Sequence, residues 1–201
     1  MSIQTSSKSP RIGVLALQGA FREHKWALER FGVEAFLVTK PSEIFDCEAL
    51  VIPGGESTTI GRLATVFGLM EPLRERLNQG MAVFATCAGM ILLAREIEGS
   101  NQPRLGLMDM TVRRNAFGRQ VDSFEVDLEI PVLGEKPFRG VFIRAPYVLR
   151  VGQGVEVLCS TEGKAVLVRQ EKLLASAFHP ELTDDLRLHR YFVNRVAGFD
   201  V

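Results

Sequence analysis

The sequence predicts an α/β fold with a mixed sheet, and three observations carry the prediction. In the first half, short apolar runs alternate with helix-forming segments, the pattern of strands buried in a sheet covered on both faces. From residue 122 onward, apolar and polar residues alternate and short strands recur at hairpin-like spacing, which reads as antiparallel pairing. With 46% hydrophobic content, 201 residues are enough for one well-packed core and short for two. The expected organisation is a disordered polar tail over residues 1–10 and a single domain over 11–201.

In chain order, residues 12–17 form the first expected strand, followed by Gln18-Gly19 and a helix over 20–31 with Trp26 and Phe31 among its apolar positions. Gly32 suits the end of that helix, where a left-handed residue frees the last carbonyls for bonding. Residues 35–38 and 49–52 are further apolar strands, and Ser57 opens the next helix. An apolar strand over 81–85 meets a helix-forming run over 90–96, with Thr86, Cys87, Ala88 and Gly89 between them. Residues 122–130 alternate, and 155–160, 165–169 and 173–178 recur as strands. A last helix over 182–196 closes the chain.

Composition narrows the function classes. Lys and Arg number 24 against 24 Asp and Glu, so no field of one sign recruits nucleic acid or an anionic membrane. Small neutral or zwitterionic ligands fit better. Three widely spaced cysteines give neither a disulfide framework nor a CxxC metal site, and a reducing cytoplasm is the expected compartment. No segment reaches the ~18 apolar residues that span a bilayer. Nucleic-acid and membrane partners and a bound metal are not expected.

Three short segments carry chemistry. Cys87 stands where a strand turns sharply into a helix, the shape of a nucleophile elbow, whose following helix N-terminus favours a thiolate. Taken alone, a small buried cysteine is the commoner case. His179-Pro180-Glu181 follows an apolar strand; proline keeps His179 extended, and side chains two apart in an extended segment share a side. A carboxylate on one imidazole nitrogen fixes the tautomer and leaves the other to exchange a proton with a nucleophile. A loop histidine before a helix would look the same. The loop Pro53-Gly54-Gly55-Glu56-Ser57-Thr58-Thr59 lacks a P-loop ending, and its paired glycines free backbone N–H groups to face a developing oxyanion. An ordinary turn with a Ser cap is the alternative. His24 and His189 fall within expected helices, where surface or partner contacts are the expectation. Cys47 and Cys159 adjoin apolar strands and read as packing residues.

In chain order, Pro53-Gly54-Gly55-Glu56-Ser57, Thr86-Cys87-Ala88-Gly89 and Phe178-His179-Pro180-Glu181 resemble the triad, or class I, glutamine amidotransferases. Within that family, Leu15-Ala16-Leu17-Gln18-Gly19-Ala20 with Glu23-His24, the run Arg114-Asn115-Ala116-Phe117-Gly118-Arg119-Gln120, and Val141-Phe142-Ile143-Arg144-Ala145-Pro146 are similar to the glutaminase subunits of pyridoxal 5′-phosphate synthases. The resemblance covers nearly all of residues 11–196. It departs at the elbow, where Ala85 stands in a position that is commonly glycine.

The resemblance implies a three-layer, flavodoxin-like domain whose mixed central sheet is flanked by helices. It implies that Cys87 attacks the side-chain amide of L-glutamine, with His179 and Glu181 completing the triad and the N–H groups of Gly55 and Ala88 forming the oxyanion hole. Gly55, Glu56, Ser57, Arg114, Ile143 and Arg144 would hold the glutamine, since an Arg guanidinium or a helix N-terminus suits a carboxylate. Ammonia would pass to a separate synthase subunit in a hetero-oligomeric complex. Pyridoxal phosphate is then a product, and no cofactor is expected. Two alternatives remain open at this point: another Cys-His-Glu hydrolase on a similar scaffold, and a catalytically silent subunit.

Overall fold

A computed structural model describes residues 9–114 and 123–201. Its centre is a mixed sheet with a parallel half and an antiparallel half. The parallel half holds β1 (Arg11–Leu15), β2 (Glu34–Val38), β3 (Ala49–Ile52) and β4 (Ala82–Thr86). They lie in the order β2-β1-β3-β4, and every residue of β3 and β4 is buried. Their unbroken Ala, Val, Leu, Ile and Phe content follows from that double coverage.

Helices supply the cover. α1 (Phe21–Glu29) packs on β1 and β2, and α2 (Pro41–Ile44) packs on β2. α3 (Ser57–Val66) lies against α5 (Ala88–Leu93), which rests on β4; α4 (Met70–Asn78) contacts α2. Near the C-terminus, α6 (Arg187–Tyr191) runs into a π-helical turn, Phe192–Val196, and also touches α1.

The second half supplies β5 (Ala94–Ile97), β6 (Met108–Arg113), β7 (Ser123–Leu128), β8 (Phe138–Ile143), β9 (Tyr147–Val151), β10 (Glu156–Thr161), β11 (Lys164–Gln170) and β12 (Leu173–Ser176). β7 and β8 pair antiparallel as a separate ribbon, on which Phe124 and Phe142 stack at 4.7 Å. The main sheet continues from β4 through β12, β11, β9 and β6 to β5, with β10 beside β11. β12 joins the halves, since it pairs antiparallel with β11 and parallel with β4. Its position beside β4 brings the segment after residue 176 next to the elbow.

Several expected boundaries change. The first strand ends at Leu15, not residue 17, and α1 ends at Glu29. Trp26 is 53% exposed, with the Arg30 guanidinium 4.7 Å above its ring. The helix expected over 90–96 begins at Ala88 and stops at Leu93, because Ala94–Ile97 leave it to pair with β6. The helix expected over 182–196 is replaced at its start by a 3-10 turn, Pro180–Leu182, and begins at Arg187. Pro10, expected in the tail, is buried, and its carbonyl accepts from Glu34 N–H at 3.1 Å. Residues 1–8 lie outside the described residues, as do 115–122, which include most of the Arg114–Gln120 run.

Candidate active site

Adjacent parallel strands β1, β3, β4 and β12 all end at one edge of the sheet. The segments that follow them carry Gln18, Gly54-Gly55, Cys87 and His179. Ligand sites in open α/β sheets form in this crevice beyond the strand carboxyl ends.

Cys87 has φ 47° and ψ −104°, a conformation that costs an L-residue about 1–3 kcal/mol and lets the chain turn from strand into helix within one residue. The bend is held by register. Thr86 pairs with Ser176, Cys87 N–H donates to Ser176 O at 2.8 Å, and α5 starts at Ala88. A Cβ on Gly89 would lie 2.3 Å from Ile52 O, so glycine is required there, while Ala85 sits fully buried between Ile52 and Ala175. The elbow therefore accommodates a methyl group at residue 85.

His179 hangs two residues past Ala177, its backbone N–H bonded to Val141 O at 2.8 Å. Its Nδ1 donates to Glu181 Oε1 at 2.8 Å. Burial disfavours charge on the imidazole, but bonding and attraction to Cys87 and Glu181 outweigh it and push the pKa up to about 10. Glu181 is held well below the usual carboxylate range; burial opposes this, and His24 and His179 prevail.

Gly54 and Gly55 are needed for space, and neither adopts positive φ. A Cβ on Gly54 would lie 2.5 Å from His179 Cε1 and 3.1 Å from Cys87 Cβ, so both side chains border this residue. On Gly55 it would lie 2.4 Å from Gln18 Oε1, which also accepts from Glu56 N–H at 2.6 Å. The cap of α3 is Glu56 and not Ser57: its carboxylate accepts from Thr58 N–H at 3.0 Å and Thr59 N–H at 2.7 Å. Those bonds pull its pKa down to about 2 against the opposing effect of burial.

These groups enclose a cavity of about 240 Å³. Gly55, Glu56 and Ser57 line one part, Cys87 and Ala88 the elbow, Ile143 and Arg144 the end of β8, and Arg114 and His179 complete it. Ile143 O accepts from Cys87 Sγ at 3.9 Å, and Arg144 takes φ 44°. Glu181 stands behind His179. A larger cleft, about 870 Å³, lies between Asp127, Lys136 and Arg187 and holds neither cysteine nor histidine.

Sequence reasoning missed Ile91, Gln102, Thr86, His24 and His189 as parts of this site. Ile91 lines the cavity, and Gln102 Oε1 accepts from Arg114 Nη1 at 2.8 Å. His24 and His189, expected at surfaces, are fully buried and 2.9 Å apart. The available signal was spacing: His24, Ala27 and Leu28 form the buried stripe of α1. Among the described residues, no group of three or more His, Cys, Asp and Glu side chains is arranged to hold a metal, and no helix is long and apolar enough to cross a membrane.

Comparisons with known proteins bear on the family of the chain. The chain is 62% identical over 186 residues to the pyridoxal 5′-phosphate synthase subunit PdxT of Carboxydothermus hydrogenoformans, covering 92% of this chain and 97% of that one. It is 64% identical over 185 residues to the same subunit of Pelotomaculum thermopropionicum, covering 92% and 94%. A crystal structure of a glutamine amidotransferase superposes with TM-score 0.88 at 57% identity, covering 94% of this chain and 99% of that one. The model of the SNO glutamine amidotransferase family matches residues 14–198, and the chain belongs to that family.

Proposed function

We propose that this chain is the glutaminase subunit of a pyridoxal 5′-phosphate synthase, hydrolysing L-glutamine to L-glutamate and ammonia and delivering the ammonia to a synthase subunit. The observation that carries the reading is the shared cavity of Cys87 and His179, with Glu181 bonded behind the imidazole. The names of close relatives and the family match support the substrate and the partner.

The cavity suits one amino acid. Arg114 offers donors to the α-carboxylate, and the carboxylate of Glu56 is ionised to meet the ammonium. Ile143 and Arg144 close the opposite side.

In the first half-reaction, the Cys87 thiolate bonds to the carboxamide carbon and the carbonyl π electrons move to oxygen, where Gly55 and Ala88 N–H groups receive them. When the carbonyl reforms, the C–N bond breaks, the nitrogen takes a proton from His179 Nε2, and ammonia leaves. A γ-glutamyl thioester remains. Water then gives a proton to His179 while its oxygen bonds to the thioester carbon; the C–S bond breaks, returning the thiolate and releasing the γ-carboxylic acid, which ionises. Glu181 keeps the imidazole in the Nδ1–H tautomer throughout.

Ammonia release from glutamine, measured on the complex with its synthase subunit, tests the reading. Turnover by the wild-type complex and none by Cys87→Ala is expected; substantial turnover by Cys87→Ala contradicts it.

A further inference from the structure

Beside the triad lies a buried polar cluster that the chemistry above does not use. His24 comes from α1, Thr86 from the last position of β4 and His189 from α6, and all three are fully buried. Buried polar groups are retained at a cost unless they bond to one another, so the partners of this cluster indicate what it holds.

His24 Nε2 lies 3.2 Å from Glu181 Oε2, the carboxylate oxygen that His179 does not use, and 3.1 Å from Thr86 Oγ1. Thr86 Oγ1 in turn accepts from Gly54 N–H at 3.0 Å. His179 Nδ1 donates to Glu181 Oε1, whereas His24 Nε2 bonds with Thr86 Oγ1 and faces Glu181 Oε2 as an ion-pair contact, so Oε2 has His24 as its close polar neighbour but accepts no hydrogen bond. On its other side, His24 Nδ1 meets His189 Nε2 at 2.9 Å, a contact with room for one proton. With that proton on His189 Nε2, a neutral His24 accepts through Nδ1 and carries its own hydrogen on Nε2.

An ion-pair contact from Glu181 to His24, followed by hydrogen bonds from His24 to Thr86 and from Gly54 N–H to Thr86, thus leads from the triad carboxylate to the backbone of the glycine loop. We propose that His24 and Thr86 are positioning residues of the glutaminase reaction, locking Glu181 from behind and tying its orientation to the Gly54-Gly55 loop. The proposal rests on the glutaminase reading above. His24 touches neither the cavity nor Cys87; it acts on the reaction through Glu181, and Thr86 acts through Gly54.

The groups facing Glu181 from each packed element are His179 on its own segment, His24 on α1 and, behind His24, His189 on α6. Removing the His24 imidazole takes away one of the two groups that hold the Glu181 carboxyl low, and its pKa rises. Protonation of Glu181, which releases His179 from its tautomer, then begins at a higher pH. A residue that merely filled space would not move that limb of the pH profile.

The test uses the complex with the synthase subunit and measures kcat, KM and the pH profile of glutamine hydrolysis. His24→Met and Thr86→Val, which keep bulk and lose the bonds, are expected to lower kcat about a hundredfold, as a small misplacement of reacting groups does, with KM little changed. His24→Met also moves the acid limb upward. His24→Gln and Thr86→Ser, which restore an N–H and a hydroxyl, are expected to recover most of the loss. Thr86→Val is nearly isosteric, so it and Thr86→Ser decide the matter if His24→Met does not fold. Folded variants with wild-type kcat and an unmoved acid limb would overturn the proposal while Cys87→Ala remained inactive. Turnover by Cys87→Ala would overturn the glutaminase reading, and this proposal with it.

Discussion

His179 and Glu181 bond to each other across a single proline, Nδ1 to Oε1 at 2.8 Å, with His179 extended at φ −105°. The pair is local, so it does not depend on assembling distant segments; what the fold adds is its placement beside Cys87. The two residues have unequal tasks, because the imidazole moves protons and the carboxylate orients it. In kcat measurements, His179→Asn is expected to lose more than Glu181→Gln, by about two orders of magnitude. The reverse order would give the carboxylate a different role.

The same pair makes stability depend on pH. The pKa of His179 rises in the folded chain from 6.5 to about 10, since Cys87 and Glu181 overcome burial. Its protonation therefore favours folding. The contribution is complete below pH 6.5 and is lost as pH rises to about 10. Urea midpoints of the wild-type chain are expected to fall across that window more steeply than those of His179→Asn. Parallel curves would show that the imidazole gains no proton affinity on folding.

Glycines at the site differ in what they tolerate. Gly89→Ala drives a Cβ to 2.3 Å from Ile52 O, which belongs to rigid sheet backbone, and is expected to destabilise by about 1–3 kcal/mol, read as a lowered Tm. Ala85→Gly, which restores the common elbow residue, is expected to cost no more than about 1 kcal/mol. Gly54→Ala drives a Cβ against His179 and is expected to lower kcat while leaving Tm near wild type. A wild-type kcat for Gly54→Ala would mean that the imidazole can move aside freely.

The parts of the site carried by local sequence were legible. Strand-turn-helix patterning located Cys87, proline geometry paired His179 with Glu181, and the apolar runs of β3 and β4 gave the parallel core. What was hidden depends on register between distant strands. That β12 lies parallel to β4 and antiparallel to β11 is not encoded in either strand's own pattern, and β5 looked helical because Ala94 and Glu96 suit a helix as well. His24 and His189 were misplaced because histidine in a helix carries no polarity signal of its own; burial was decided by partners 62 and 165 residues away.

Gln18 and Gly19 brace the glycine loop from outside. Gln18 Oε1 accepts from Glu56 N–H, and a Cβ on Gly19 would lie 1.7 Å from Gly54 O, so the loop cannot shift without moving this segment. Gly19 is exposed and Gln18 is half-buried, which leaves them accessible to a partner, whereas His24 is fully buried. The isolated chain is expected to be a weak glutaminase that its synthase subunit activates by ordering this loop. Recovery of one oxyanion donor corresponds to roughly a hundredfold to a thousandfold in kcat. Titration of the chain with the synthase subunit under steady-state hydrolysis measures it, and Gln18→Ala is expected to blunt the response. Equal kcat with and without the partner would mean that the oxyanion hole is preformed.

Of the three cysteines, Cys87 alone is expected to carry the γ-glutamyl group. Burial pushes the thiol of Cys47 up to about 12 and that of Cys159 up to about 11, which leaves them protonated and unreactive at neutral pH. Acid quenching of the complex during turnover of glutamine, followed by peptide mass spectrometry, reads the thioester directly. The expected result is a γ-glutamyl adduct on the peptide bearing Cys87 and on neither other cysteine, absent from Cys87→Ala. An adduct on Cys47 or Cys159, or steady hydrolysis by Cys87→Ala, would rule out Cys87 as the nucleophile.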